Sequence, residues 1–169
     1  MKAEKFEEFT AHFNVAQYPL PLLLAEKIGQ TEPDNVFKTV PVNKSAVTLS
    51  FQGRKPGTRP LDNAVVFNFQ LFEKSARIGI SVGRVDNCKV CLPDSAVSKM
   101  HASFKLNAQG AWELADVDST NNTRINGLEI SSNKAITLKN SDGITFADVY
   151  HCTFFTPEGF QSYLKSIGK

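Results

Sequence analysis

The sequence predicts an all-β sandwich with a short helix towards each end. Three observations point there. From residue 64 onward the chain is a succession of short apolar segments whose hydrophobic residues recur at every second position, the period of a half-buried strand. Turn-forming residues interrupt these segments about every ten residues, which suits a sandwich and leaves no room for the crossover helices of an α/β fold. At the two ends the period changes to that of a helix.

Taken in order, "EKFEEFTAHF" spaces Phe6, Phe9 and Phe13 by three and four residues, one apolar helical face. "QYPLPLLLAEKIGQTEPDN" mixes prolines with apolar residues and is expected to be mostly extended and irregular. "AVTLSF" at 46–51 reads as a short strand, and "QGRKPGTRPLDN" after it as a loop. A boundary is expected near residue 60. That divides the chain into an N-terminal extension over 1–60, packed on the sandwich, a main domain over 61–156 and a C-terminal helix over 157–169.

Within the main domain "VVFNFQL" sets Val65, Phe67, Phe69 and Leu71 on one face, and "RIGISVG" does so with Ile78, Ile80 and Val82. "KVCL", "HASFKL", "AWELADV", "KAITL", "GITFADV" and "HCTFF" follow. The turn signals between them include "DN" at 86–87, "PDS" at 93–95, "NAQG" at 107–110 and "SDG" at 141–143. The final helix has Thr156 as N-cap, Pro157 at its first position, and an apolar stripe of Phe160, Tyr163, Leu164 and Ile167 to dock on the sandwich.

Composition bounds the function. A hydrophobic content of 41% and a charged content of 21% are those of a globular protein, and 169 residues can bury a substantial core. The net charge of +2 comes from scattered Lys and Arg, without the basic stripe and interleaved aromatics that nucleic-acid binding needs. The start carries acidic residues and no long apolar core, and "YPLPLLLA" is too short to span a bilayer, so a cytoplasmic protein with no membrane partner is expected. Three cysteines agree with a reducing compartment.

Polar groups gather at three strand ends. Gly83 and Arg84 follow the strand ending at Val82. Ser98, Lys99 and His101 precede "ASFKL", and "DSTNNTRING" brings Ser119, Thr120, Asn121, Asn122 and Thr123. Loops cluster at the ends of a sandwich, so these three can converge. Guanidinium, hydroxyls and loop N–H groups together suit phosphate oxygens, and Asn side chains can clamp a peptide backbone. Apart from His101 no general base lies beside them, so catalysis is not expected.

The order Gly83-Arg84, Ser98-x-x-His101, Ser119-Thr120-Asn121-x-Thr123, Asn126-Gly127 resembles the forkhead-associated (FHA) domain over roughly residues 64–156. The resemblance implies a sandwich of about eleven strands in two antiparallel or mixed sheets, and a module that binds phosphothreonine-containing partner proteins in Ser/Thr kinase signalling or regulated assembly. By matching position, Arg84 and Ser98 would hold the phosphate, with Lys99 adding charge or a backbone N–H. Thr120 would add a phosphate or loop contact, and Asn121 would bond the peptide backbone. Gly83, His101, Ser119, Asn122, Thr123 and Gly127 would shape the loops. Two residues depart from the pattern: Asn122 and Ala147 stand where Gly is common, and Asn tolerates left-handed geometry.

No metal or cofactor is expected. Cys88 and Cys91 in "CKVC" fall short of a zinc set, and Cys91 serves as an apolar strand residue. The competing reading is a phosphate-independent scaffold acting through its extensions, and a thiol-dependent enzyme stands behind it. The sequence leaves the oligomeric state open.

Overall fold

The computed structural model describes residues 3–27 and 64–169. The strand expected at 46–51, the loop at 52–63 and the boundary near residue 60 lie outside the described residues.

The chain opens with a two-residue strand β1 (Glu4–Lys5), a short helix α1 (Phe6–Thr10) and a single 3-10 turn at Val15–Gln17. β2 (Leu22–Lys27) and β3 (Val65–Asn68) follow, then a 3-10 segment at Phe69–Ser75, β4 (Ile80–Gly83), β5 (Val90–Cys91), β6 (Ala102–Leu106) and β7 (Trp112–Asp116). The last strands are β8 (Thr123–Ile125), β9 (Leu128–Glu129), β10 (Ile136–Thr137), β11 (Asp142–Phe146) and β12 (Tyr150–Phe155). Helix α2 (Pro157–Ser166) ends the fold.

These strands form two facing sheets, one of seven strands in the order β1-β3-β2-β12-β11-β8-β9 and one of five in the order β10-β7-β6-β4-β5. All pairings are antiparallel except β4 with β5, so the smaller sheet is mixed. The fold is the all-β sandwich expected from the alternation. Between the sheets lie Leu23, Phe67, Phe69, Ile80, Phe104, Leu114, Phe146 and Phe154, all nearly inaccessible to water.

A second apolar cluster covers the outer face of the larger sheet. Leu22, Leu24, Val66 and Phe155 point outward there and meet Phe6 and Phe9 of α1 and Phe160 and Leu164 of α2. Phe160 stacks its edge on Phe6, Phe13 and Phe155 at centroid separations of 5.0–6.4 Å. Because both faces of this sheet are buried, "LLLA" reads as a continuous apolar run, and β2 sits in mid-sheet between β3 and β12. The irregular segment expected around residues 17–35 therefore contains a central strand.

Two strand readings end early. β3 stops at Asn68, whose side chain accepts from the Gln70 N–H (2.9 Å) and starts the 3-10 segment, leaving Leu71 63% exposed. Ile78, 84% exposed, precedes β4, and the chain enters that strand through Gly79 at φ 144°. Helix α2 matches expectation, with the Thr156 hydroxyl oxygen accepting from the Gly159 N–H at 3.1 Å. Asn126 (φ 51°) and Gly127 (φ 82°) make the two-residue left-handed turn that joins β8 to β9.

Candidate functional site

At one end of the sandwich, three loops close around a cleft of about 360 Å³ lined by Arg84, Ala96, Ser98, Lys99, Thr120 and Asn121, among others. Each loop is shaped by its own chemistry. The exit of β4 is forced by contact: a Cβ on Gly83 would lie 2.2 Å from the Lys99 carbonyl oxygen and 2.9 Å from Cys88 Sγ. That absence of a side chain lets the Arg84 N–H reach the Ser98 carbonyl (3.1 Å), which ties the first loop to the second.

His101 is fully buried and spans the second and third loops. Its Nδ1 accepts from the Ser98 N–H (3.2 Å), so the ring proton sits on Nε2, which faces the Asn122 carbonyl at 3.1 Å. Burial pushes its pKa below the ordinary histidine value, against weaker opposing effects of the Asn122 carbonyl and the Asp116 charge. A neutral imidazole is what this two-sided bridge requires.

The third loop hangs on a residue that sequence reasoning missed. Asp116 is 3% exposed, and its carboxylate accepts from the Ser119 N–H (2.9 Å), the Ser119 hydroxyl (2.5 Å) and the Thr123 hydroxyl (2.7 Å). Thr123 is itself fully buried. The signal was present in "WELAD": Trp112, Leu114 and Asp116 share the inward face, and an acid on that face just before "STNNT" needs donors.

With these supports in place, the cleft presents a defined set of groups. Ser98 Oγ accepts from the Thr120 N–H (3.0 Å), and its hydroxyl donates to Thr120 Oγ1 across a long 3.5 Å contact, which orients the two hydroxyls side by side in the cleft. Asn121 Nδ2 donates to the Ala96 carbonyl (2.8 Å), which fixes the amide plane of an exposed side chain in the cleft lining. Among the described residues no carboxylate forms an ion pair with Arg84 or Lys99. The structure thus brings Arg84, Ser98, Lys99, Thr120 and Asn121 to one cleft. Gly83, His101, Ser119, Asn122 and Thr123 lie in the layer behind it. Gly127 sits apart, in the β8–β9 turn, and Cys88 packs beneath Gly83 with its thiol donating to the Lys99 carbonyl (3.3 Å).

The family model of the FHA domain matches residues 80–147, which span all three loops. Over that segment the chain is similar to the FHA domain. Several solved structures are similar to part of the chain. EmbR of Mycobacterium tuberculosis, in complex with a low affinity phosphopeptide, is 26% identical over 46% of this chain and 20% of its own, with a TM-score of 0.42. This chain thus spans about a fifth of EmbR. The MEK1 FHA domain bound to a HOP1 phosphopeptide is 26% identical over 46% of this chain and 79% of its own, TM-score 0.41. The N-terminal FHA domain of Saccharomyces cerevisiae Rad53p, bound to a phosphothreonine peptide, is 24% identical over 63% and 91%, TM-score 0.46. No curated protein sequence matches the chain.

Proposed function

We propose that this FHA-like domain binds phosphothreonine-containing segments of partner proteins in the three-loop cleft and catalyses no reaction. One observation carries the reading: Arg84, Ser98, Lys99, Thr120 and Asn121, drawn from three separate loops, line the same cleft. In it, the Arg84 guanidinium and the Ser98 hydroxyl take the phosphate oxygens, with Lys99 adding charge and Thr120 a further hydroxyl. The Asn121 carboxamide pairs with the peptide backbone beside the phosphothreonine. Residues 61–156 are the recognition domain and 157–169 its closing helix. Residues 1–60 form an extension whose strand β2 completes the larger sheet.

The partners are substrates of Ser/Thr kinases, and docking is conditional on their modification. Phosphorylation adds roughly −1.5 to −2 charge and new acceptor oxygens, so the unmodified peptide lacks the groups that the cleft recognises. The loops are braced by protein–protein bonds before any ligand arrives, so little ordering accompanies binding. No described helix is long and apolar enough to cross a membrane. A cytoplasmic setting fits the reduced cysteines, of which Cys88 and Cys152 are buried and Cys91 is partly exposed.

The test is titration of an oriented phosphothreonine peptide library, with phosphoserine and unmodified controls, against the wild type and Arg84→Ala. The variant is expected to lose measurable binding while melting within about 2 °C of the wild type, since a partly exposed strand-end Arg contributes little to stability. Equal binding of phosphorylated and unphosphorylated peptides would sink the proposal.

A further inference from the structure

The loop that carries Ala96 and Ser98 is fastened from below by a residue outside the matched FHA segment. Lys27, the last residue of β2, extends its Nζ to Asp94 Oδ2 at 2.9 Å. The register explains the meeting. Lys27 pairs with Tyr150 at the start of β12, so β2 finishes at the same end of the sandwich as the binding loops. The ammonium also lies over the Tyr150 ring at 5.9 Å from its centroid, which limits where the side chain can go.

Asp94 is the hub of its loop. Oδ1 accepts from the Ala96 N–H (2.9 Å), the Asp94 carbonyl accepts from the Val97 N–H (3.1 Å), and the Asp94 N–H donates to the Leu92 carbonyl (2.8 Å). Its side chain is 12% exposed, against 39% for Lys27, so the pair is better shielded from solvent than a surface ion pair. The Ala96 N–H first, and the Lys27 ammonium second, hold the Asp94 carboxyl below the usual carboxylate range. The next link reaches the cleft, because the Ala96 carbonyl accepts from Asn121 Nδ2 at 2.8 Å.

We infer that Lys27 and Asp94 are positioning residues for the cleft, setting the Asn121 carboxamide through the relay Lys27–Asp94–Ala96–Asn121. The inference rests on the reading of the cleft as a phosphopeptide site and adds to it a control from the N-terminal segment. Neither residue lines the cleft. Each part of the relay restrains the next. The ion pair fixes the carboxylate, the carboxylate holds the Ala96 N–H, the Asp94 carbonyl holds the Val97 N–H of the peptide unit that carries the Ala96 carbonyl, and that carbonyl fixes the plane of the amide that meets the ligand. A carboxamide free to rotate binds a peptide backbone less well than one already aligned.

The experiment uses the full chain and the best-binding peptide selected from an oriented phosphothreonine library. Kd is measured for the wild type, Lys27→Met, Lys27→Arg, Asn121→Ala, Arg84→Ala and the Lys27→Met/Asn121→Ala double variant. Lys27→Met keeps an unbranched apolar stem over Tyr150 and is expected to weaken binding about three- to tenfold, while Lys27→Arg, which retains the pair, stays within about twofold of the wild type. The decisive readout is coupling: the double variant binds no more weakly than Asn121→Ala alone. A purely structural weakening would add to the Asn121→Ala loss, and additivity, or wild-type affinity in Lys27→Met, overturns the relay. Wild-type affinity in Arg84→Ala, or no phosphothreonine-selective peptide in the library, overturns the reading beneath it. These two failures are separable, because the first leaves Arg84→Ala inactive.

Discussion

Gly83→Ala places a single methyl group where the cleft has no space. The Cβ would stand 2.2 Å from the Lys99 carbonyl oxygen, 2.9 Å from its carbonyl carbon and 2.9 Å from Cys88 Sγ. Backbone atoms essentially never approach a Cβ closer than 3.0 Å, so the Lys99 peptide unit must retreat by about 0.8 Å or more. That unit is flanked by Ser98, whose carbonyl accepts from Arg84 N–H (3.1 Å), and by Met100 and His101. Overpacking of this kind costs about 1–3 kcal/mol. At about 2–4 °C per kcal/mol for a chain of this size, the melting temperature should fall by roughly 2–12 °C. The peptide affinity should fall further than stability alone requires, because the retreat separates Ser98 from Arg84. Differential scanning fluorimetry and fluorescence anisotropy with a phosphothreonine peptide read the two effects. Adding Cys88→Ala relieves the sulfur contact but not the carbonyl contact, so the double variant should recover little. A Gly83→Ala protein that melts within a degree of the wild type and binds peptide normally refutes the reasoning.

Two further outcomes follow from the layer behind the cleft. Burial holds the His101 pKa below its unfolded value near 6.5, so its neutral form contributes fully above about pH 6.5 and that contribution is lost as the pH falls through the folded pKa. The stability gap between the wild type and His101→Gln should therefore shrink between pH 7 and pH 5 in denaturant titrations; a constant gap contradicts this. Asp94 and Asp118, both held below the usual carboxylate range, lose their contributions at lower pH and leave this window clear. Asp116→Ala deprives one N–H and two hydroxyls of their acceptor and should cost about 2–4 kcal/mol by urea denaturation, with loss of peptide binding. Wild-type affinity in that variant would show that the third loop holds its shape without it.

The site was more legible in the sequence than the sheet that carries it. Loop residues such as Gly83, Ser98 and Asn121 are set by local turn chemistry and close contact, which a short stretch displays directly. The position of β2 is not displayed that way. Leu22, Leu23, Leu24 and Ala25 are all buried, because helices α1 and α2 cover the face that would otherwise meet water, and the period-two signal disappears. Leu71 and Ile78 misled in the opposite direction. Their spacing continued a strand pattern that the Asn68 cap and Gly79 interrupt. Lys27 escaped notice because its partner Asp94 is distant in sequence and only the folded register brings the two together, whereas Asp116, whose partners Ser119 and Thr123 lie three and seven residues on, was legible as an acid on the inward face of its strand.

The two departures from the usual FHA glycines bear on the same carbonyl. Asn122 (φ 54°) and Ala147 (φ 53°) both occupy the left-handed region, where a non-glycine residue costs about 1–2 kcal/mol. The Ala147 N–H donates to the Asn122 carbonyl at 3.2 Å, and His101 Nε2 meets that oxygen at 3.1 Å. The two strained residues are thus joined through one acceptor held from two sides. Backbone strain persists only where the surroundings over-determine it, and a doubly bonded carbonyl next to Asn121 meets that condition. Asn122 therefore does not loosen the turn. It holds the turn at the geometry a glycine would adopt, with less conformational freedom to lose on folding, and Asn121 leaves it in a fixed direction towards the cleft. Asn121 is thereby constrained at both ends, its main chain through Asn122 and His101 and its side chain through Ala96 and Asp94. A ligand that pairs with this amide meets a group already aligned, so the affinity of the cleft depends on residues it never touches.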